Sequence, residues 1–256
     1  MAQRIDFNAD MGESFGLWER GADAEMLECI SSANVACGFH AGDPSVMRRT
    51  VLAARDKGVA IGAHPGYPDL RGFGRREMRL APADVRNDVL YQVGALQAFL
   101  KAAGVRMQHV KPHGALYTMA LDDEQIARAI LEAVCEVDPS LAVLTLHGSA
   151  VWHEAARLGV RAVPEFFADR PMRADGSVVM FNWRLEDCGG TPEGIAKRAL
   201  RALTEGVVAG IDGGTATGVE FETICVHSDT PGAGAIARAL KRELEAAGWE
   251  IRAFSA

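Results

Sequence analysis

The chain has 256 residues, 48% of them hydrophobic, a net charge of −7 and an isoelectric point near 5.5. That is enough apolar material for a full core, while the acidic balance, with basic residues scattered along the chain, excludes the footprint of nucleic-acid binding and favours a small-molecule substrate. MAQRIDFNAD reaches charge within four residues and no run approaches membrane-spanning length, so neither signal peptide nor membrane span is expected, and the five cysteines, with no CxxC pair, fit buried free thiols in the cytoplasm.

Short apolar runs alternate with helix-length periodic segments along the whole chain, which implies one α/β domain over residues 1–256 with a largely parallel sheet. The first strand, residues 5–9, alternates so that Asp6, Asn8 and Asp10 share one face and Ile5, Phe7 and Ala9 the other. A buried carboxylate there needs a cation, a metal or a proton; alternatively these residues bond the turn Gly12-Glu13-Ser14. A helix over 23–30 leads to a strand at 32–36 and then to His40 among small residues. Asp43 followed by Pro44 reads as the cap of a helix over 44–57.

A third strand, 59–63, delivers His64. With Asp10 and His40 it makes a two-His-one-carboxylate set for a divalent ion, or a group for hydrogen bonding and acid–base work. The segment 66–80 is long and rich in Gly and Arg, which marks a functional loop; Arg71, Arg75 and Arg76 would clamp an anion or simply be solvated. A helix over 83–103 precedes the strand 107–111.

Lys111 and His113 share a face at that strand's end, where the ammonium calls for an anionic guest or an ion pair with Asp10 or Glu165. Next come a helix over 123–137, a strand 142–146 ending at His147, which serves the site or caps a helix, and the helix 149–158. The strand 161–165 ends at Glu165, with Asp169 as a second spare carboxylate able to act as general base. A second long polar segment, 166–190, contributes Arg170 and Arg173. After a helix over 192–204, the strand 223–226 delivers His227 to a helix start at Thr230-Pro231 whose free amides suit an anion. A helix over 233–247 and a strand 249–253 complete the chain. His109 and His153 read as structural.

Seven or eight such βα units in a chain of this length match a (β/α) barrel, regular or distorted. Polar residues delivered by several strand ends converge in such folds, so the chain reads as an enzyme. No GK[ST] occurs, so no phosphate-cradling loop of that type is present, and no GxSxG points to an activated serine.

The segments IDFNADMGESFG, SANVACGFHAGD, GVAIGAHPGYPDLRGFGRR, HVKPHGALY and EFFADRPMRADGSVV together resemble the LamB/YcsF family. The resemblance implies a barrel of glycoside hydrolase/deacetylase type with seven or eight strands. It also implies the reaction 5-oxo-L-proline + ATP + 2 H2O → L-glutamate + ADP + phosphate, carried out as the A component with separate subunits B and C. ATP is then a cofactor, with a divalent cation present as Mg on ATP or as a site metal, and homo-oligomers are compatible with the pattern. In that setting Asp10, Lys111, Glu165 and His113 are the catalytic candidates. Asn8, His40, His64, Arg71, Arg75 and His227 are the substrate-binding candidates, and Asp10, His40 and His64 the metal candidates. Two other functions use the same constellation: a stand-alone metal-dependent deacetylase or amidohydrolase, and a noncatalytic lactam-binding subunit.

Overall fold

The computed structural model describes residues 3–255. Seven parallel strands close into a barrel: β1 (Gln3–Met11), β2 (Ser32–Ala36), β3 (Ala60–His64), β4 (Met107–Val110), β5 (Ala142–Thr145), β6 (Ala162–Phe167) and β9 (Thr223–Cys225), which returns to pair with β1. β7 (Val207–Ala209) and β8 (Thr215–Thr217) form a separate antiparallel hairpin. β10 (Trp249–Ile251) pairs with Gln3, Arg4 and Ile5 of β1, below the residues of β1 that pair with β9. All eight expected strands therefore exist. Seven make the barrel and the eighth flanks it, which resolves the seven-or-eight ambiguity of the pattern.

Helices α1 (Asp23–Met26), α2 (Pro44–Asp56), α3 (Pro82–Ala103), α4 (Gly114–Asp122), α5 (Glu124–Val137), α6 (Ala150–Leu158), α7 (Pro192–Glu205) and α8 (Ala233–Ala246) fill the connections. No helix among the described residues is long and apolar enough to cross a membrane. Asp43 caps α2 as expected, its Oδ1 accepting from the Ser45 and Val46 amides with Pro44 in the first turn. α4 is absent from the sequence pattern: its segment is apolar around most of its circumference, so no helical period stands out, and Ala115, Leu116, Tyr117 and Ala120 are all buried. α1 stops short of the expected residue 30, because the chain must turn down to Ser31, whose hydroxyl receives the Phe7 amide.

The outward face of the strands, including Phe7, Ala9, Val35, Ile61, Val110, Phe166 and Ile224, packs on buried Val93, Leu96, Ile130, Ile195 and Leu240 of the helices as one continuous core. The inward face is unusual. Barrel interiors are ordinarily filled by branched aliphatic side chains, yet here Asp6, Asn8, Asp10, Ser32, Asn34, His109, Lys111, Glu165 and Thr223 are all buried. The apolar inner clusters are small: Ala142, Leu144 and Val163 against Phe254, and Phe167 and Cys225 with Tyr117. His109 has room because Gly62 lies opposite: a Cβ there would stand 2.2 Å from the imidazole. Parallel register brings every strand's carboxyl end to one rim, and there the polar residues gather.

Candidate active site

Four histidines predicted at strand ends do converge at this rim. His64 ends β3, His113 precedes α4, and His40 and His227 lie on the loops after β2 and β9; each is at most 6% exposed. His147 does not join them. It is exposed and lies against Trp152, while Ser149, not His147, caps α6.

One wall of the site is a group of four potential metal donors, Glu13, His40, His64 and His113, whose donor atoms all lie within 4.8 Å of one another. Backbone carbonyls fix two of the imidazoles. His64 Nδ1 lies 2.7 Å from the Lys111 carbonyl oxygen and His113 Nε2 lies 2.8 Å from that of Phe73, so both nitrogens must carry the proton and donate it. The remaining nitrogens, His64 Nε2 and His113 Nδ1, therefore aim lone pairs at each other across 2.9 Å. Glu13 Oε1 lies 3.3 Å from His40 Nε2, 3.5 Å from His113 Nδ1 and 4.0 Å from His64 Nε2. Lone pairs facing lone pairs need a cation or a shared proton between them.

Burial lowers the pKa of His40 and His113 well below the ordinary value, so both rings are neutral. Burial, then the charges of Asp10 and Asp229, push Glu13 well above the usual carboxylate range, and the opposing charge of Arg75 does not offset them. Three imidazoles and one carboxylate, several of their donor atoms spaced near the ~3.3 Å edge of a tetrahedron with ~2 Å bonds, suit zinc or a similar dication. Tight backbone geometry supports the group. Gly74, at φ +64°, lies close against the rings: a Cβ there would meet the Cβ of His40 at 2.7 Å and Cδ2 of His113 at 2.9 Å.

The expected metal triad of Asp10, His40 and His64 thus differs from what the geometry assembles. Glu13 stands in the group in place of Asp10, His113 joins it, and Asp10 lies beside it, its Oδ2 3.4 Å from His64 Nε2. The reason lies in the chain direction. Asp10 is still within β1 and points into the barrel, whereas Glu13, beyond the turn at Gly12, reaches over the rim.

The facing wall is built on charge pairs. Lys111 Nζ lies 2.9 Å from Glu165 Oε2, 3.5 Å from Asp10 Oδ1, 3.1 Å from Cys225 Sγ and 3.2 Å from Asn8 Oδ1. Burial opposes the ammonium, but Asp10, Cys225 and Glu165 together raise its pKa well above the ordinary lysine value. For Asp10 burial works upward, and His64, Lys111 and His227 outweigh it, leaving the carboxylate ionised. Asp169 receives the His227 amide at 3.0 Å, His227 Nδ1 at 2.9 Å, Thr230 Oγ1 at 2.5 Å and Arg170 at 2.9 Å. Arg170 and His227 overcome its burial and hold it well below the usual range. With Nδ1–H fixed on Asp169, His227 turns Nε2 to the pocket, 3.9 Å from Asp10 Oδ2.

Between the walls lies a cavity with about 20 Å³ of water-accessible space, lined by Asp10, His64, Lys111, His113, Tyr117 and His227 together with Met180, Phe181, Arg75 and Arg170. Arg75 pairs with Asp229 at 2.8 Å. Arg71, a substrate-binding candidate from the sequence, is exposed on a short 3-10 turn and does not line the cavity. Asn8 lies deeper, bonded to Thr223, Asn34 and Lys111, and also does not line it. Tyr117, whose buried hydroxyl lies beside Glu165, escapes sequence reasoning because it rides on α4, which shows no period. Glu13 is legible only as a carboxylate between small residues just past a strand.

The family model described as LamB/YcsF family matches residues 5–256. A relative from Heliobacterium modesticaldum, named as the A subunit of 5-oxoprolinase, is 50% identical over 253 residues, 98% of each chain. The crystal structure of a lactam utilization protein from Thermus thermophilus is 48% identical, covers 98% of this chain and 100% of its own, and superposes with a TM-score of 0.90. A family 4 carbohydrate esterase from Streptomyces lividans, solved with acetate, is only 12% identical, covers 99% of this chain and 93% of its own, and has a TM-score of 0.51. The last likeness is one of fold.

Proposed function

The chain belongs to the LamB/YcsF family, and on that premise we propose that it is the A subunit of a 5-oxoprolinase, opening the lactam ring of 5-oxo-L-proline to L-glutamate with hydrolysis of ATP and acting with separate subunits B and C. The names of close relatives, which designate them the A subunit, support an assembly of several different chains. The observation that carries the reading is the meeting of two complementary walls at one small chamber: a donor group short of a cation, and a lysine–carboxylate–histidine array already charged.

A divalent ion held by Glu13, His40, His64 and His113 would acidify a bound water and polarise the lactam carbonyl. In this reading Arg75 and Arg170 hold the substrate carboxylate at the mouth. Lys111 faces the carbonyl oxygen as negative charge develops there. Asp10, ionised and beside His64, takes a proton from the attacking water. His227 delivers a proton from Nε2 to the leaving nitrogen, its orientation kept by Asp169. Glu165 keeps Lys111 charged, and Tyr117 offers its hydroxyl to the guest.

A lactam amide is a poor electrophile, and phosphorylating its oxygen makes a better leaving group for water to displace. With no GK[ST] sequence and a chamber this small, we assign that ATP-dependent transfer to the partner subunits. A second reading, a metal-dependent amidohydrolase acting alone, is favoured by the histidine–glutamate group itself. One assay separates them: release of glutamate and ADP from 5-oxoproline and ATP by this chain alone and with subunits B and C, with and without EDTA. Turnover requiring ATP and all three chains supports the first reading. Ring opening without ATP, lost on chelation, supports the second.

A further inference from the structure

Asp6, the lowest inward side chain of β1, plays no part in the chemistry above and has no cation for its charge. It is 1% exposed, and among the described residues only hydroxyls hold it: Ser31 Oγ at 2.7 Å and Ser32 Oγ at 2.6 Å on Oδ1, and Thr223 Oγ1 on Oδ2. Thr223, having given its proton to Asp6, can only accept from Asn8 Nδ2, 2.7 Å away. That turns the Asn8 carbonyl oxygen upward, where it accepts from Lys111 Nζ at 3.2 Å and from Asn34 Nδ2 at 2.8 Å. Asn34 Nδ2 also reaches Asp10 Oδ1 at 2.9 Å. One directed chain of hydrogen bonds links the barrel floor to the site.

We propose that Asp6 is a positioning residue: its ionised carboxylate, through Thr223 and Asn8, sets the direction of the amide dipoles that align Lys111 and Asp10 at the pocket. This rests on the role given to Lys111 above. Protonated, Asp6 would itself become a donor to Thr223, and the direction of the chain would no longer be imposed. The groups around it are few. Thr223 faces it from β9, Ser31 and Ser32 from the start of β2, and Glu165 from β6; Gln108 and neutral His109 of β4 connect to it through Ser32. Arg4, Arg161, Glu220, Glu222 and Arg252 share with it an open groove of about 770 Å³ below the barrel. Burial, aided by Glu165 and opposed by the three hydroxyls, raises its pKa to about 6, so the switch falls in an accessible range.

Lys111 is one of five lysines, so its amine can be followed by nitrogen NMR in lysine-labelled protein. The Lys111 signal is expected to move with a midpoint near pH 6 in the parent protein, to stay flat in Asp6→Asn and Thr223→Val, and to titrate again in Thr223→Ser, which keeps the hydroxyl. With subunits B and C, Asp6→Asn should lower kcat roughly tenfold, lose the acid limb of the pH profile and leave KM for 5-oxoproline unchanged. A Lys111 signal that titrates identically in Asp6→Asn, or a Thr223→Ser that behaves like Thr223→Val, overturns the proposal. If the parent complex opens no lactam while the NMR pattern holds, the functional reading fails and this inference stands.

Discussion

Glu13 and Asp169 are both buried carboxylates on opposite walls of one pocket, at 4% and 0% exposure, yet their charges are handled in opposite ways. Asp169 is surrounded by Arg170, the His227 ring and amide, and the Thr230 hydroxyl, and is held well below the usual carboxylate range. Glu13, in reach of the His40, His64 and His113 rings, is pushed well above it by burial and by the charges of Asp10 and Asp229, which Arg75 does not offset. The β6–β9 wall is electrically complete as folded. The wall from β1 to β4 gives its carboxylate no comparable set of partners, and its donor group is where a divalent ion would sit.

The largest effect is expected where the walls meet. Lys111→Met leaves Asp10 and Glu165 buried beside each other without a cation, a loss of about 3–5 kcal/mol in unfolding free energy, read from denaturant midpoints; a variant as stable as the parent would mean that Lys111 does not hold the two walls together. Next, Glu13→Gln and His113→Ala should weaken zinc binding at least about a hundredfold by equilibrium dialysis, while Asp169→Asn should leave it unchanged. Equal losses in all three would erase the distinction.

The third effect is one of sign. Asp169 has a depressed folded pKa, so its stabilisation is full above about pH 4 and is lost as pH falls through and below that value. Glu13, raised in the metal-free protein, contributes stability below about pH 4 that is lost as pH rises. Metal-free Glu13→Gln should therefore melt higher than the parent at pH 8, and added zinc should reverse the order; Asp169→Asn should melt lower there, a gap that closes toward pH 2. The smallest effect concerns the margin of the cavity. Arg75→Ala should raise KM for 5-oxoproline about tenfold, the value of one charged hydrogen bond, whereas Arg71→Ala should change it less than about twofold, measured by steady-state kinetics.

The same contrast explains what the sequence disclosed. Strand ends carrying Asp10, His40, His64, Lys111, His113 and His227 were legible because parallel strands impose a period of two and end where the pattern breaks, and the barrel followed from their alternation with helices. Residues beyond the strands obey no period. Glu13 sits past a left-handed Gly12 turn, and only the folded loop brings it over the rim. Arg71 and Arg75 are indistinguishable in sequence, yet the 3-10 turn at Leu70–Gly72 sends one to solvent and the other to the pocket. Asp169 read as a spare carboxylate because its partners, Arg170 apart, lie about sixty positions away at His227 and Thr230. The β7–β8 hairpin, three residues a side, was too short to announce itself.

Met180 and Phe181, which line the cavity, bear on how a guest would reach it. With room for about one water molecule, the chamber would have to widen to admit the proposed five-membered ring, and Met180 and Phe181, on the polar segment after β6, are the side chains placed to give way. Exchange of a guest with bulk solvent would then depend on how far those two side chains move.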